Sequence, residues 1–307
     1  LSIAQLLVNA LALGAAYALV ALGFVLILNA TDAVNFTQGD IVMAGGFVAV
    51  VLAGLVDAPG ILLLPFVFVI MAVAGVGFSH LAYFPLKDRP PVSVFISTIA
   101  LGIVLQNGAT TIFGAEPRAT PPLFSGGFFT LGEVVIQRQS IAILVVAALL
   151  ILGQHLVFQR TQFGRRLRAT SQDRKMAAAI GVPVHRMIAL TFGIAAALGG
   201  VAGLLLSHGF LLTPTDGTNY IIKAYVAVTI GGWGSIPGAV AGAMLIALFE
   251  VIYPALPVLV PLIAEVARGA EILFSQTVAT ILLYLMLLAI LFFRPQGLFG
   301  EVVQKRA

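Results

Sequence analysis

The chain is a succession of apolar stretches long enough to cross a bilayer, with nearly every charged side chain placed between them. A crossing helix needs about 20 predominantly apolar residues. The sequence meets that length near Ile3 to Leu28, Ile41 to Val56, Ile61 to Leu81, Val92 to Phe113, Ser140 to Phe158, Met187 to Leu212 and Leu273 to Phe293. Tyr220 to Tyr253 has room for two short passes, but GGWGSIPG interrupts it. Gly231, Gly232, Gly234, Pro237 and Gly238 cannot continue a regular helix and mark an expected break. Charged residues make up 9% of the chain, against about 25% in soluble domains, too few to cover a soluble surface. The expectation is an all-α polytopic membrane protein: one transmembrane domain over residues 1–307, with about eight transmembrane helices including a Gly/Pro-broken or re-entrant pair.

Charge sets the expected orientation. Seven of the sixteen Lys and Arg residues lie between Arg160 and Arg186, so this loop is expected on the cytoplasmic side under the positive-inside rule. Smaller clusters, Lys87 with Arg89 and Arg294 with Lys305 and Arg306, fit the same side. Topology thus accounts for the net charge of +4 without a nucleic-acid partner. If the 160–186 loop and the C-terminal tail share one side, Tyr220 to Tyr253 must return to the side it left. Working backwards, Gly114 to Gln139 and Asp57 are external, and so is the N-terminus. The first stretch lacks a basic n-region and stays apolar too long for a signal peptide, so it reads as the first span.

Two polar interruptions are the candidate sites of a transport path. Asn29 to Asp40 reads NATDAVNFTQGD, and GGWGSIPG is the second. Irregular backbone at membrane depth is tolerated only where it is buried in protein or lines a wet cavity, and broken helices in the two halves of a chain point to a substrate site. Asn35, Gln38, Asp40, Gln106, Asn107 and Ser235 are the expected path residues. The plain alternatives are an ordinary loop with Asp40 capping the next helix, a tight helical hairpin at GGWGSIPG, and hydrogen bonds between neighbouring helices for Gln106 and Asn107, with Thr98 two turns earlier. Lys223, Glu250, His80, His155 and His208 fall near helix ends, where side chains snorkel to the interface. Gly199 with Gly203 and Gly238 with Gly242 have the GxxxG spacing of close helix packing.

The functions excluded are as informative. The chain has no cysteine and no pair of histidines at metal-ligand spacing, so no metal site is expected. None of Lys87, Lys175, Lys223 and Lys305 follows a glycine, so there is no phosphate loop. Nor is there the buried carboxylate relay of a proton-driven pump. Energy for uphill movement must come from a partner. An intramembrane hydrolase using Ser235 with a histidine such as His208 is the remote alternative, in which the serine nucleophile needs its base within hydrogen-bond reach.

Four blocks together resemble a known family: VNFTQGDIVMAGGFVA (Val34 to Ala49), GRRLRATSQDRKMAAAIGVPVHRMIALTFGIAAALGGVAGLL (Gly164 to Leu205), GGWGSIPGAVAGAMLIALFE (Gly231 to Glu250) and FRPQGLFG (Phe293 to Gly300). In order and spacing they look like the permease subunits of branched-chain amino acid ABC importers, of the shorter, LivH-like type. The resemblance implies a bacterial inner-membrane permease with a cytoplasmic coupling helix, here Gln172, Asp173, Met176, Ala177, Ala178 and Ala179, closed by Gly181 with Pro183 after it. It implies a heterodimer with a second permease, two cytoplasmic ATPase subunits that bind ATP and Mg, and a periplasmic or extracellular solute-binding protein. No cofactor is expected in this chain. The EAA pattern of coupling helices is not met, since Asp173 is the loop's only acid. Similar permeases serve urea, short amides and other small solutes.

Overall fold

The computed structural model describes residues 3–299 except 57, 121, 125–126, 132–133, 210, 261–262, 264–270 and 295. Expectations placed on Asp57, Lys305 and Arg306 lie outside the described residues. Among those described, eight helices are long and apolar enough to cross a membrane, and the chain is a multi-pass membrane protein.

The helices are α1 (Ile3–Thr31), α2 (Gln38–Leu55), α3 (Gly60–Phe78, prolonged by a π turn to Tyr83), α4 (Pro91–Phe113), α5 (Arg138–Arg160), α6 (Gln162–Gln172), α7 (Arg174–Ala179), α8 (Val184–Gly209), α9 (Gly217–Gly231), α10 (Ile236–Leu259) and α11 (Gln276–Phe293). A small antiparallel hairpin, β1 (Phe128–Leu131) with β2 (Val134–Gln137), precedes α5. The all-helical expectation did not include it. Its Val, Ile and Phe side chains suit a pleated ribbon, but four-residue strands leave too short a pattern to separate from loop.

α1 and α8 form the centre and are buried along most of their length. α1 packs on α10, α8, α5 and α9, while α8 packs on α3, α2 and α1. Both helices are apolar on every side, as a fully enclosed helix must be. Small residues bring the backbones together. A side chain at Gly203 would run into the Val42 carbonyl of α2, one at Gly45 into Gly200 of α8, and one at Gly14 into Met244 of α10. Gly199 and Gly203 thus serve the close packing their spacing predicts; Gly238 faces Gly231 and Gly242 faces Ala227 across the α9–α10 pair. α3, α4, α5 and α11 form the exposed perimeter.

Two helices start inside the bundle. α2 begins where the Gln38 amide donates to the Ala195 carbonyl at 3.2 Å, near the middle of α8. α9 has 15 residues, about 22 Å at 1.5 Å per residue, short of the ~30 Å hydrocarbon core. Its first residue, Gly217, lies against Asp40. The segment before it turns inward: Leu212 packs on Met43 and Phe47 and pairs with Arg118 through two backbone hydrogen bonds of 2.7 and 2.9 Å. Of the broken pair, only α9 is short; α10, with 24 residues, is long enough to cross.

Candidate functional site

Asp40 occupies the first turn of α2 and is 6% exposed. Gln106 of α4 donates to its Oδ1 at 2.7 Å and to Thr218 Oγ1 of α9 at 3.4 Å. Gly102, the middle residue of α4, and Gly217, the first of α9, leave the room that the carboxylate fills. The capping alternative for Asp40 is overturned: Thr37 is the residue at the N-cap, and Asp40 lies within the helix. Two helix N-termini therefore open onto one polar cluster halfway along the bundle, and the partial positive charge of each favours a negative group there.

The loop entering α2 is fixed by Thr98. Its hydroxyl accepts the Phe36 N–H at 3.2 Å, and its carbonyl accepts from Thr37 Oγ1 at 2.6 Å. Asn35 and Gln38 are 3% and 0% exposed, yet Asn35 Nδ2 and Gln38 Oε1 have no partner in the chain. An unpartnered buried polar atom is costly; here one donor and one acceptor stand within a turn of each other at mid-depth. Of the expected path residues, Asp40 and Gln106 are thus brought into contact, while the Gln38 amide packs between Gly23 of α1 and Gly199 of α8 and Asn35 accepts the Thr37 N–H at 3.2 Å in the loop before α2. Asn107 is not with them. It faces outward on α4 and donates to its own helix, to the Ile103 carbonyl at 2.8 Å.

Ser235 is also elsewhere. GGWGSIPG folds as a tight turn between α9 and α10, with Gly232 and Gly234 at φ 112 and 79. Ser235 caps α10 by accepting the Gly238 N–H at 3.1 Å, as N-cap serines do. The tail returns to this turn: Leu298 and Phe299 donate their N–H groups to Ile230 and Gly231 at 2.8 and 2.9 Å. The turn lies at the end of the bundle that carries α6 and α7, whereas His208 belongs to the last turn of α8, at the opposite end. That separation rules out the pairing of Ser235 with His208, and the Ser235 hydroxyl is engaged as a helix cap.

The basic segment forms two helices. Asp173 begins α7, its carboxylate accepting the N–H groups of Lys175 and Met176 at 2.8 and 2.9 Å. Gln172 is corrected to the end of α6. α7 closes with Gly181 at φ 84; Val182 N–H reaches Ala177 O and Gly181 N–H reaches Ala178 O, each at 3.0 Å, a Schellman closure. Ala177 is buried, while Met176 and Ile180 are 62% and 71% exposed, one helical turn apart. Sequence reasoning passed over Ile180, although the four-residue spacing from Met176 signals a shared face. Ser171 Oγ donates to the Asn29 carbonyl, Arg174 pairs with Asp32, and Asn29 Nδ2 donates to the Gly234 carbonyl at 2.9 Å. The end of α1 thus ties the α6–α7 segment to the GGWGSIPG turn.

Lys223 and Glu250 require a further correction. They do not snorkel but pair with each other at 2.8 Å, and Glu250 is 5% exposed. Two opposite charges on one broken hairpin were the available signal, because charges inside spans pair with one another. His80 lies in the π turn after α3, its Nδ1 2.9 Å from the Val76 carbonyl.

A mid-depth polar cluster reached by broken helices defines a membrane transport protein. Comparison with known proteins gives the family. Residues 6–291 match the family described as branched-chain amino acid transport system / permease component, and the chain belongs to it. It is 33% identical to the high-affinity branched-chain amino acid transport system permease protein BraD of Pseudomonas aeruginosa, over 97% of this chain and 95% of that protein. It is 32% identical to LivH of Escherichia coli K12, a protein of the same description, over 80% and 84% of the two chains. A xylose transport system permease protein, XylH of the same organism, is 31% identical over 49% of this chain and 39% of its own.

Proposed function

We propose that the chain is the path-forming permease of an ATP-binding cassette importer for branched-chain amino acids. It works with a second permease subunit as a heterodimer, two cytoplasmic ATPases and a solute-binding protein outside a bacterial inner membrane. The end bearing α6 and α7 faces the cytoplasm, and ATP with Mg is handled by the partners. The single observation that carries this reading is the meeting of the first turns of α2 and α9 at Asp40 and Gln106, halfway along the bundle.

Mechanically, α7 presents Met176 and Ile180 to an ATPase groove. Closure of the ATPases displaces α6 and α7, and the contacts through Ser171, Arg174 and Asn29 pass that displacement to α1 and to the start of α10. Because α1 is central, its tilt changes access to the mid-depth cluster. The solute then passes from one side to the other with no covalent chemistry in this subunit.

Asp40→Ala tests the path. It removes a hydrogen bond to a charged group, worth about 1.5–3 kcal/mol, so ATP-driven uptake should fall about 10- to 100-fold while the membrane level of the protein holds. Unchanged uptake would remove Asp40 from the path. Importers of xylose or urea are the competing reading, kept by the xylose permease among the relatives; competition between solutes separates them.

A further inference from the structure

A second polar group lies between α1, α9 and α10, apart from Asp40. Lys223 Nζ sits 2.8 Å from Glu250 Oε1, donates to Tyr17 Oη at 2.6 Å and lies 4.7 Å from the centre of the Tyr17 ring. Tyr17 Oη donates in turn to Glu250 Oε2 at 3.0 Å. Tyr17 is the middle residue of α1, so the triad is at mid-depth. It walls a cavity of about 320 Å³ that also meets Asp216, Asn219, Thr280, Leu206 and Leu211, at the small end of ligand pockets. Leu211, just beyond the last turn of α8, is 62% exposed and stands at the mouth.

A buried ion pair is an expensive way to hold helices together, since apolar side chains of similar volume often do as well or better. A staple also has no need to face a cavity. What the pair does offer is a matched plus and minus charge at a fixed separation, with net charge zero. A solute bearing one carboxylate and one ammonium on the same carbon can enter between them. Its carboxylate takes the place of Glu250 on Lys223, and its ammonium takes the place of Lys223 on Glu250. Every buried charge stays partnered before and after, and the site gains no net charge. A simple anion would strand Glu250, a simple cation would strand Lys223, and an uncharged solute could not compensate for splitting the pair. Leu13 and Leu206 supply an apolar wall for a side chain.

We propose that this cavity is a binding station for a zwitterionic α-amino acid, with Lys223 holding its carboxylate and Glu250 its ammonium. The proposal rests on the import reading and adds to it a site and the residues that hold the two charges of the solute. The cysteine-free chain allows a direct test. Leu211→Cys in the assembled transporter in nanodiscs, without binding protein, is labelled with a charged methanethiosulfonate in the presence of leucine, leucinamide, 4-methylpentanoate or urea. Millimolar leucine should slow labelling several-fold, and the other three, each lacking one or both charges of the zwitterion, should not. Glu250→Gln in the same background should remove the protection, read as the ratio of labelling rates with and without leucine within that variant. The comparison of solutes stands even where that variant fails to assemble. No protection by leucine in a preparation that imports it, or equal protection by leucinamide and 4-methylpentanoate, would overturn the station and leave the import reading in place. A preparation that hydrolyses ATP but imports no amino acid would overturn the import reading itself.

Discussion

Asp40 sits where it does because two of its neighbours lack side chains. A methyl group at Gly102 or Gly217 would occupy the space of its carboxylate oxygens. Gly102→Val is therefore expected to displace Asp40 and lower uptake to the level of Asp40→Ala, with the protein still in the membrane; full uptake would mean the carboxylate needs no fixed place. Gly181 is constrained differently. Nothing lies within reach of an added side chain there, but its φ of 84 costs other residues about 1–2 kcal/mol. Gly181→Val should loosen α7 and uncouple ATP hydrolysis from uptake without reducing the amount of permease, and normal coupling would contradict the role of α7. At this scale the sequence was legible where residue type and backbone agree, as at Gly181 or Asp173. It was not legible for Ser235 and Asn107, because a polar residue in an apolar run looks the same whether it lines a path or satisfies its own helix.

Among the elements, α2 and α8 approach closely, with glycine against backbone at Gly45, Gly200 and Gly203. Without a hydrophobic drive between helices inside lipid, such packing supplies much of the association. Gly203→Leu should push the pair apart; overpacking of this kind costs about 1–3 kcal/mol, read as a lower melting temperature of the solubilised permease. An unchanged melting temperature would show that the contact is not tight. The spans were readable from hydropathy alone, to within a few residues at most ends. The depth at which α2 and α9 begin was not, because apolar length records how much chain is buried and carries no information about level. α9 was legible as a break but not as a helix starting at mid-depth, since that depends on Leu212 folding back onto Met43 and Phe47.

For the whole molecule, the perimeter is uneven. α11 exposes Leu285, Leu288 and Phe292, a surface suited to lipid. α4 exposes Asn107, Thr110 and Thr111 in a row, each bonded to its own helix at 2.8 Å. Polar side chains inside spans face protein or water rather than acyl chains, so α4 is expected to face the second permease subunit that the proposed function calls for. Asn107→Cys should crosslink to that subunit and Phe292→Cys should not; the reverse pattern would place the partner against α11. The permease family was legible because its motifs run from the first helix to the tail. The solute was not, since a cavity's chemistry depends on residues as far apart in sequence as Tyr17 and Glu250. The most direct test of the central claim is ATP-driven uptake of labelled leucine into proteoliposomes holding this chain with its second permease, ATPases and binding protein. Uptake that needs ATP and is competed by valine but not by urea or xylose is the predicted result. Uptake of urea or xylose in place of leucine would contradict it.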